Sequence, residues 1–144
     1  MSRSLTMLFA ILCYAIFFAT FLYLIVFVGD LSFATRTVDV GPEAAPITAV
    51  LIDVALIALF GLQHSVMARP GFKAKWTRIV PPPIERSVFV LAASIALMIL
   101  FLGWRPIGAI VWNVTNPALA GILWALFWIG WATVLVSTFL INHF

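Results

Sequence analysis

Charge is what this sequence has least of. Lys and Arg number 8 and Asp and Glu 5, so charged residues make up 9% of 144, against 65% hydrophobic. A water-soluble domain carries about 25% charged residues, which excludes an ordinary soluble fold. Cysteine is nearly absent too. Cys13 is the single one, which rules out an internal disulfide framework and any cysteine-cluster metal site. It sits in an apolar run behind Leu12, where lipoprotein cleavage would want a small residue, and it reads as a small buried hydrophobe. A Gly-rich phosphate loop is missing. The formal charge of +3 does not point to nucleic acid, because the cations gather in one loop where membrane topology accounts for them.

What is present is four long apolar runs, at 5–28, 47–67, 84–103 and 118–141. Each is long enough to cross ~30 Å of hydrocarbon at about 1.5 Å per residue. The first exceeds the roughly 7–15 apolar residues of a signal peptide. The sequence therefore predicts an all-α, polytopic membrane bundle of four transmembrane helices, one domain over residues 1–144. Residues 30–46 form a polar loop with Asp30, Asp39, Glu43 and the breakers Gly41, Pro42 and Pro46. Residues 68–83 read as a basic loop, with Pro81, Pro82 and Pro83 stopping any helix. Residues 107–117 are expected to skim the interface. Arg3, Arg69, Lys73, Lys75, Arg78 and Arg86 fall on one side, and only Arg36 and Arg105 on the other. The positive-inside rule then places the N-terminus and the 68–86 loop in the cytoplasm.

The stretch 60–87 breaks the pattern. Polar and ionisable groups at a membrane helix end are costly and so point to function. Asp53, Ile57, Phe60 and His64 are spaced on one helical stripe, as are Ser87, Leu91, Ser94 and Met98, and Trp124, Trp128, Trp131, Leu135, Thr138 and Asn142. Polar stripes are expected to turn away from lipid. Gln63, His64, Glu85, Arg86, Asn142 and His143 then converge at one membrane level, the candidate site. Asp53 lies about 16 Å along the helix from His64, so Glu85 is the expected partner of the imidazole. A local Glu85–Arg86 ion pair is the structural alternative. Arg86 could also hold a carboxylate or phosphate, while the loop cations suit lipid headgroups. Two histidines without further ligands are too few for a metal or haem site, and none is expected.

Several segments together carry a resemblance. Phe60–Gly61–Leu62–Gln63–His64–Ser65–Val66–Met67–Ala68–Arg69 is similar to the signature of the bacterial membrane methanethiol S-methyltransferases. So are Trp76–Thr77–Arg78, the Pro-rich turn into Glu85–Arg86–Ser87, Trp104–Arg105–Pro106, and Ser137 through Asn142–His143–Phe144. These proteins lie within the NnrU-like and isoprenylcysteine carboxyl methyltransferase-like group. The resemblance implies a bacterial inner-membrane enzyme, S-adenosylmethionine as methyl donor and a small thiol, methanethiol, as acceptor, giving dimethyl sulfide. The neighbouring NnrU-like proteins imply an alternative, a non-enzymatic membrane protein linked to denitrification or haem and redox assembly. The group also continues beyond the Asn-His-Phe element, into an Arg-His-Pro motif and acidic residues of the cofactor site. The expectation is therefore an N-terminal portion of a longer protein, inactive alone, with its main cofactor site elsewhere. His64 is the expected catalytic base, with Gln63, Glu85, Arg86, Asn142 and His143 binding substrate or cofactor.

Overall fold

A computed structural model describes residues 3–110 and 112–141, the side chains of 139 and 141 excepted. Among them are five helices: α1 (Arg3–Val28), α2 (Pro46–Ala68), α3 (Pro70–Trp76), α4 (Pro82–Gly103) and α5 (Pro117–Ile141). Four of these, α1, α2, α4 and α5, are long and apolar enough to cross a membrane. The chain divides into two compact units, residues 1–108 and 109–144.

Prolines begin the helices rather than end them. Pro46, Pro70 and Pro82 occupy the first turns of α2, α3 and α4, and Pro117 is the first residue of α5. A proline at the first helical position loses no hydrogen bond, because that N–H has no intrahelical partner anyway. The reading of Pro81 to Pro83 as a stop is thus corrected for Pro82 and Pro83. The 68–83 segment is not a plain loop either, since α3 fills half of it.

In the first unit α4 is the central helix and packs against both α1 and α2. Its small residues make this possible: Ala93, Ser94 and Ala96 are buried, beside Leu97, Leu100 and Phe101. Without a hydrophobic drive between helices in lipid, close backbone approach and packing supply the adhesion. Ser94 spends its hydroxyl on the Val90 carbonyl at 2.9 Å, so a polar residue with no exposed surface stays satisfied. The core cluster is Phe27, Leu97, Leu100 and Phe101, bordered by Tyr23, Leu24, Val38, Leu56, Phe60 and Trp104.

The end of this unit that carries 29–45 and 104–106 is tied by side chains reaching backbone. The Tyr23 hydroxyl donates to the Arg36 carbonyl at 2.9 Å, Arg36 Nη1 to the Leu102 carbonyl at 2.8 Å, and the Trp104 indole N–H to the Val38 carbonyl at 3.0 Å. Asp53 Oδ1 accepts the Arg105 backbone N–H at 2.9 Å. Asp30, at a positive φ of 48° where α1 ends, accepts the hydroxyl of buried Thr37. Asp tolerates this left-handed region better than most residues. A Cβ on Gly41 would meet Pro106 Cδ at 3.0 Å, so glycine lets the loop lie against 104–106.

The stripes turn inward only in part. Asp53 is buried and Phe60 half-buried, but Ile57 is 53% exposed. Ser87 and Ser94 are buried, whereas Met98 is 37% exposed. A strict 3.5-residue spacing drifts around a straight helix by about 20° per heptad, so one stripe cannot stay on one face throughout. α5, in the second unit, begins with Asn116 capping it: its side-chain oxygen accepts from the N–H groups of Ala118 and Leu119 at 2.9 and 3.2 Å. Trp124, Phe127 and Trp128 contact one another along it, and Phe127 also meets Trp131.

Candidate active site

The opposite end of the first unit gathers the last turns of α2, all of α3 and the first turn of α4. His64 lies in the last two turns of α2. Its ring stacks on Phe60 with centroids 5.5 Å apart, one helical step of four residues away. It also meets Phe89 of α4 at 5.3 Å. The imidazole is exposed at its remaining edge. The ring therefore has an aromatic wall on two sides and an exposed edge.

Glu85 does not partner His64. It is buried in the first turn of α4, and its Oε2 lies 3.0 Å from Lys73 Nζ of α3. The Lys73 side chain is 54% exposed and that of Glu85 only 9%. The pair therefore has one dry and one wet end. It fastens α3 to α4, and it takes the place of the expected Glu85–His64 contact. The reason is geometric: α3 folds back from the end of α2 and brings Lys73 to the carboxylate. Glu85 thus makes an ion pair between helices. Arg86 is exposed on the same first turn and is itself engaged in an interaction.

Gln63 is half-buried. Its amide nitrogen donates to Met67 Sδ at 3.2 Å, and its Oε1 is buried without a partner. Trp76, at the end of α3, stacks on Phe72 at 5.9 Å, and its indole N–H is likewise buried without a partner. Buried polar groups are nearly always paired. Among the described residues, Gln63 Oε1 near the end of α2, Trp76 Nε1 on α3 and Asp53 Oδ2 at the other end of the unit are the exceptions. Asn142 and His143 lie outside the described residues.

Sequence reasoning brought Gln63, His64, Glu85 and Arg86 to one end correctly. It left Phe89 unnamed, and took Lys73 only as a loop cation and Trp76 only as part of the resemblance. Phe89 was within reach, since it follows Glu85 by four residues and so shares its face. Lys73 and Trp76 carried no periodic signal, because α3 is only 7 residues long.

No family model matches the chain, and no solved structure matches it. Related sequences are clearer. Over its whole length the chain is 54% identical to a methanethiol S-methyltransferase of Mycobacterium tuberculosis. This chain is homologous to the methanethiol S-methyltransferases. One from Crocosphaera subtropica is 48% identical, again over the whole chain, and methanethiol S-methyltransferase 1 of Bradyrhizobium diazoefficiens is 46% identical over 99% of it. The chain spans 59%, 56% and 50% of the lengths of these three methanethiol S-methyltransferases.

Proposed function

We propose that this chain forms part of a membrane-bound, S-adenosylmethionine-dependent thiol S-methyltransferase that converts methanethiol to dimethyl sulfide. The observation that carries this reading is similarity along the entire chain to proteins named for that activity. Those names favour a transferase over a non-enzymatic NnrU-like role in denitrification or haem assembly.

Two described residues carry chemistry suited to one end of the methyl donor. Gln63 Oε1 is an orphan acceptor suited to an ammonium, and the Trp76 indole N–H is an orphan donor suited to a carboxylate. These match the two charged groups of its amino-acid part. Glu85 Oε2 is engaged by Lys73. The nucleoside is assigned to the part of the relatives that this chain does not span. When bound, S-adenosylmethionine supplies an electrophilic methyl group on a sulfonium sulfur.

The acceptor must be a thiolate, because the thiol itself is a poor nucleophile. His64 is assigned to take that proton, in the neutral form that an imidazole needs to act as a base. Phe60 and Phe89 keep water from two sides of it, and an apolar surround favours a reaction in which opposite charges cancel. Arg86, exposed near the start of α4, is assigned to the mouth beside it. That mouth is assigned to the cytoplasmic face of a bacterial inner membrane, a reading supported by the Lys/Arg asymmetry.

Two measurements test this reading. A cysteine placed at Lys75 is expected to be labelled by an impermeant maleimide only from the cytoplasmic side, and one at Glu43 only from outside. The reverse labelling would put His64 on the wrong face for a cytosolic donor. In calorimetry, residues 1–144 alone are expected to bind S-adenosylmethionine too weakly to saturate. A chain of the relatives' full length carrying this sequence is expected to bind it and to pass a labelled methyl group to methanethiol. Micromolar binding by residues 1–144 would contradict the assignment of the nucleoside elsewhere. A full-length protein that transfers no methyl would remove the proposed activity.

A further inference from the structure

At the end of the unit remote from His64, a cavity of about 360 Å³ opens between α1 and α4. Ala19, Thr20, Tyr23, Met98, Phe101 and Leu102 line it, together with Arg36 from the 29–45 loop. The volume lies in the range of small-ligand sites. Its polar groups are mostly spoken for. The Thr20 hydroxyl donates to the Ile16 carbonyl at 2.7 Å, and the Tyr23 hydroxyl is taken by the Arg36 carbonyl. What remains is an apolar trough with one guanidinium.

The position identifies the occupant. Ala19 is nine residues before the end of α1 at Val28, or roughly 14 Å down the helix axis. The trough thus runs through one leaflet of ~15 Å, half the hydrocarbon thickness. Arg36 bonds the Leu102 carbonyl, which sits in the last turn of α4, at the membrane boundary. One of its five N–H donors is used in that bond. Among the described residues it has no carboxylate partner. A planar donor fork at headgroup level above an apolar trough matches a phosphate ester above an acyl chain.

We infer that the α1–α4 cavity, with Arg36 at its rim, is a binding site for an anionic phospholipid, one acyl chain lying against Ala19, Met98 and Phe101 and the phosphate on Arg36. This does not depend on the methyltransferase reading, nor on which leaflet faces the cytoplasm. It assigns Arg36, a cation on the poorly charged side, a role that topology alone does not give it.

Native mass spectrometry of the detergent-solubilised chain, titrated with phosphatidylglycerol or phosphatidylcholine, tests it. Wild type is expected to retain phosphatidylglycerol about tenfold more tightly than phosphatidylcholine, the scale of one charge-assisted hydrogen bond. Arg36→Gln is expected to abolish that preference while still binding both lipids. Ala19→Leu, which fills the trough, is expected to weaken both, and millimolar inorganic phosphate is expected not to compete. Helicity and thermal stability of each variant, followed by circular dichroism, identify any that are misfolded. Met98→Phe then serves as a second filling variant. An undiminished preference in a folded Arg36→Gln would overturn the proposal. So would lipid retention unaffected by both filling variants. Competition by inorganic phosphate would make this a free-anion site instead.

Discussion

Replacing His64 by Gln in a full-length protein carrying this sequence is expected to slow methyl transfer by roughly 10²–10⁴-fold, the range for a positioned acid–base group. Glutamine keeps a hydrogen-bonding amide of similar reach but cannot take a proton. The loss should be largest at low pH and narrow as pH rises, because the thiol then ionises without help and the missing base matters less. The structure sharpens this expectation. His64 is held by two aromatic rings, Phe60 and Phe89, and not by the Glu85 carboxylate, which is bound to Lys73. Its removal should therefore leave thermal stability close to wild type. Full activity in His64→Gln across the pH range would remove the base assignment. A parallel loss of activity and stability would show that the ring serves the packing of α2 on α4.

The second large effect is on stability. Phe101→Ala should destabilise the bundle by about 2 kcal/mol, measured by reversible unfolding in mixed micelles. In water such a truncation costs about 3–5 kcal/mol, much of it the transfer of apolar surface out of solvent. In a bilayer that transfer contributes little, because lipid is as apolar as the core. What is lost is contact. Phe101 is 5% exposed, with ring centroids 5.0 Å from both Tyr23 and Phe27, and aromatic pairs are worth about 0.5–1.5 kcal/mol each beyond burial. A double-mutant cycle with Phe27→Ala should return a coupling in that same range. A loss below about 0.5 kcal/mol for Phe101→Ala would mean that the aromatic cluster does not hold α1 to α4.

The fold was legible where one physical constraint dominates. Four runs of the right length and oiliness became four helices, because a bilayer's thickness leaves little choice of element. The boundaries moved by a residue or two where Pro46, Pro82 and Pro117 proved to be first helical residues. Proline as a breaker and proline as a starter are the same residue, told apart only by which side of it the backbone bonds fall. α3 was not legible: seven residues cannot show periodicity, and only the fold-back from Arg69 shows that they coil. The site was half legible. Gln63, His64, Glu85 and Arg86 were found because polar residues at a membrane helix end stand out. Their pairings were not, since a tie such as Lys73 to Glu85 depends on how the intervening chain folds. Asp53, expected to lie far from His64, does so. Its role in holding the Arg105 N–H could not be read from spacing, because backbone partners leave no mark in the side-chain pattern.

The ties from Tyr23, Arg36, Trp104 and Asp53 all lie at one end, and each joins a helix to a loop or to a turn distant in sequence. Among the described residues the other end has one lysine–carboxylate link, half of it in solvent; unpaired buried polar atoms occur at both ends, on Asp53 as well as on Gln63 and Trp76. The unit is built like a pair of tongs. Its fulcrum is the braced end, where backbone carbonyls are locked by indole, phenol and guanidinium. Its jaws are the helix ends around His64. Leverage runs one way in such a body: a small rotation at the fulcrum becomes a displacement at the tips that grows with the length of the helices. Between α3 and α4 those jaws are held by the Lys73–Glu85 pair, the half-wet link of the two ends.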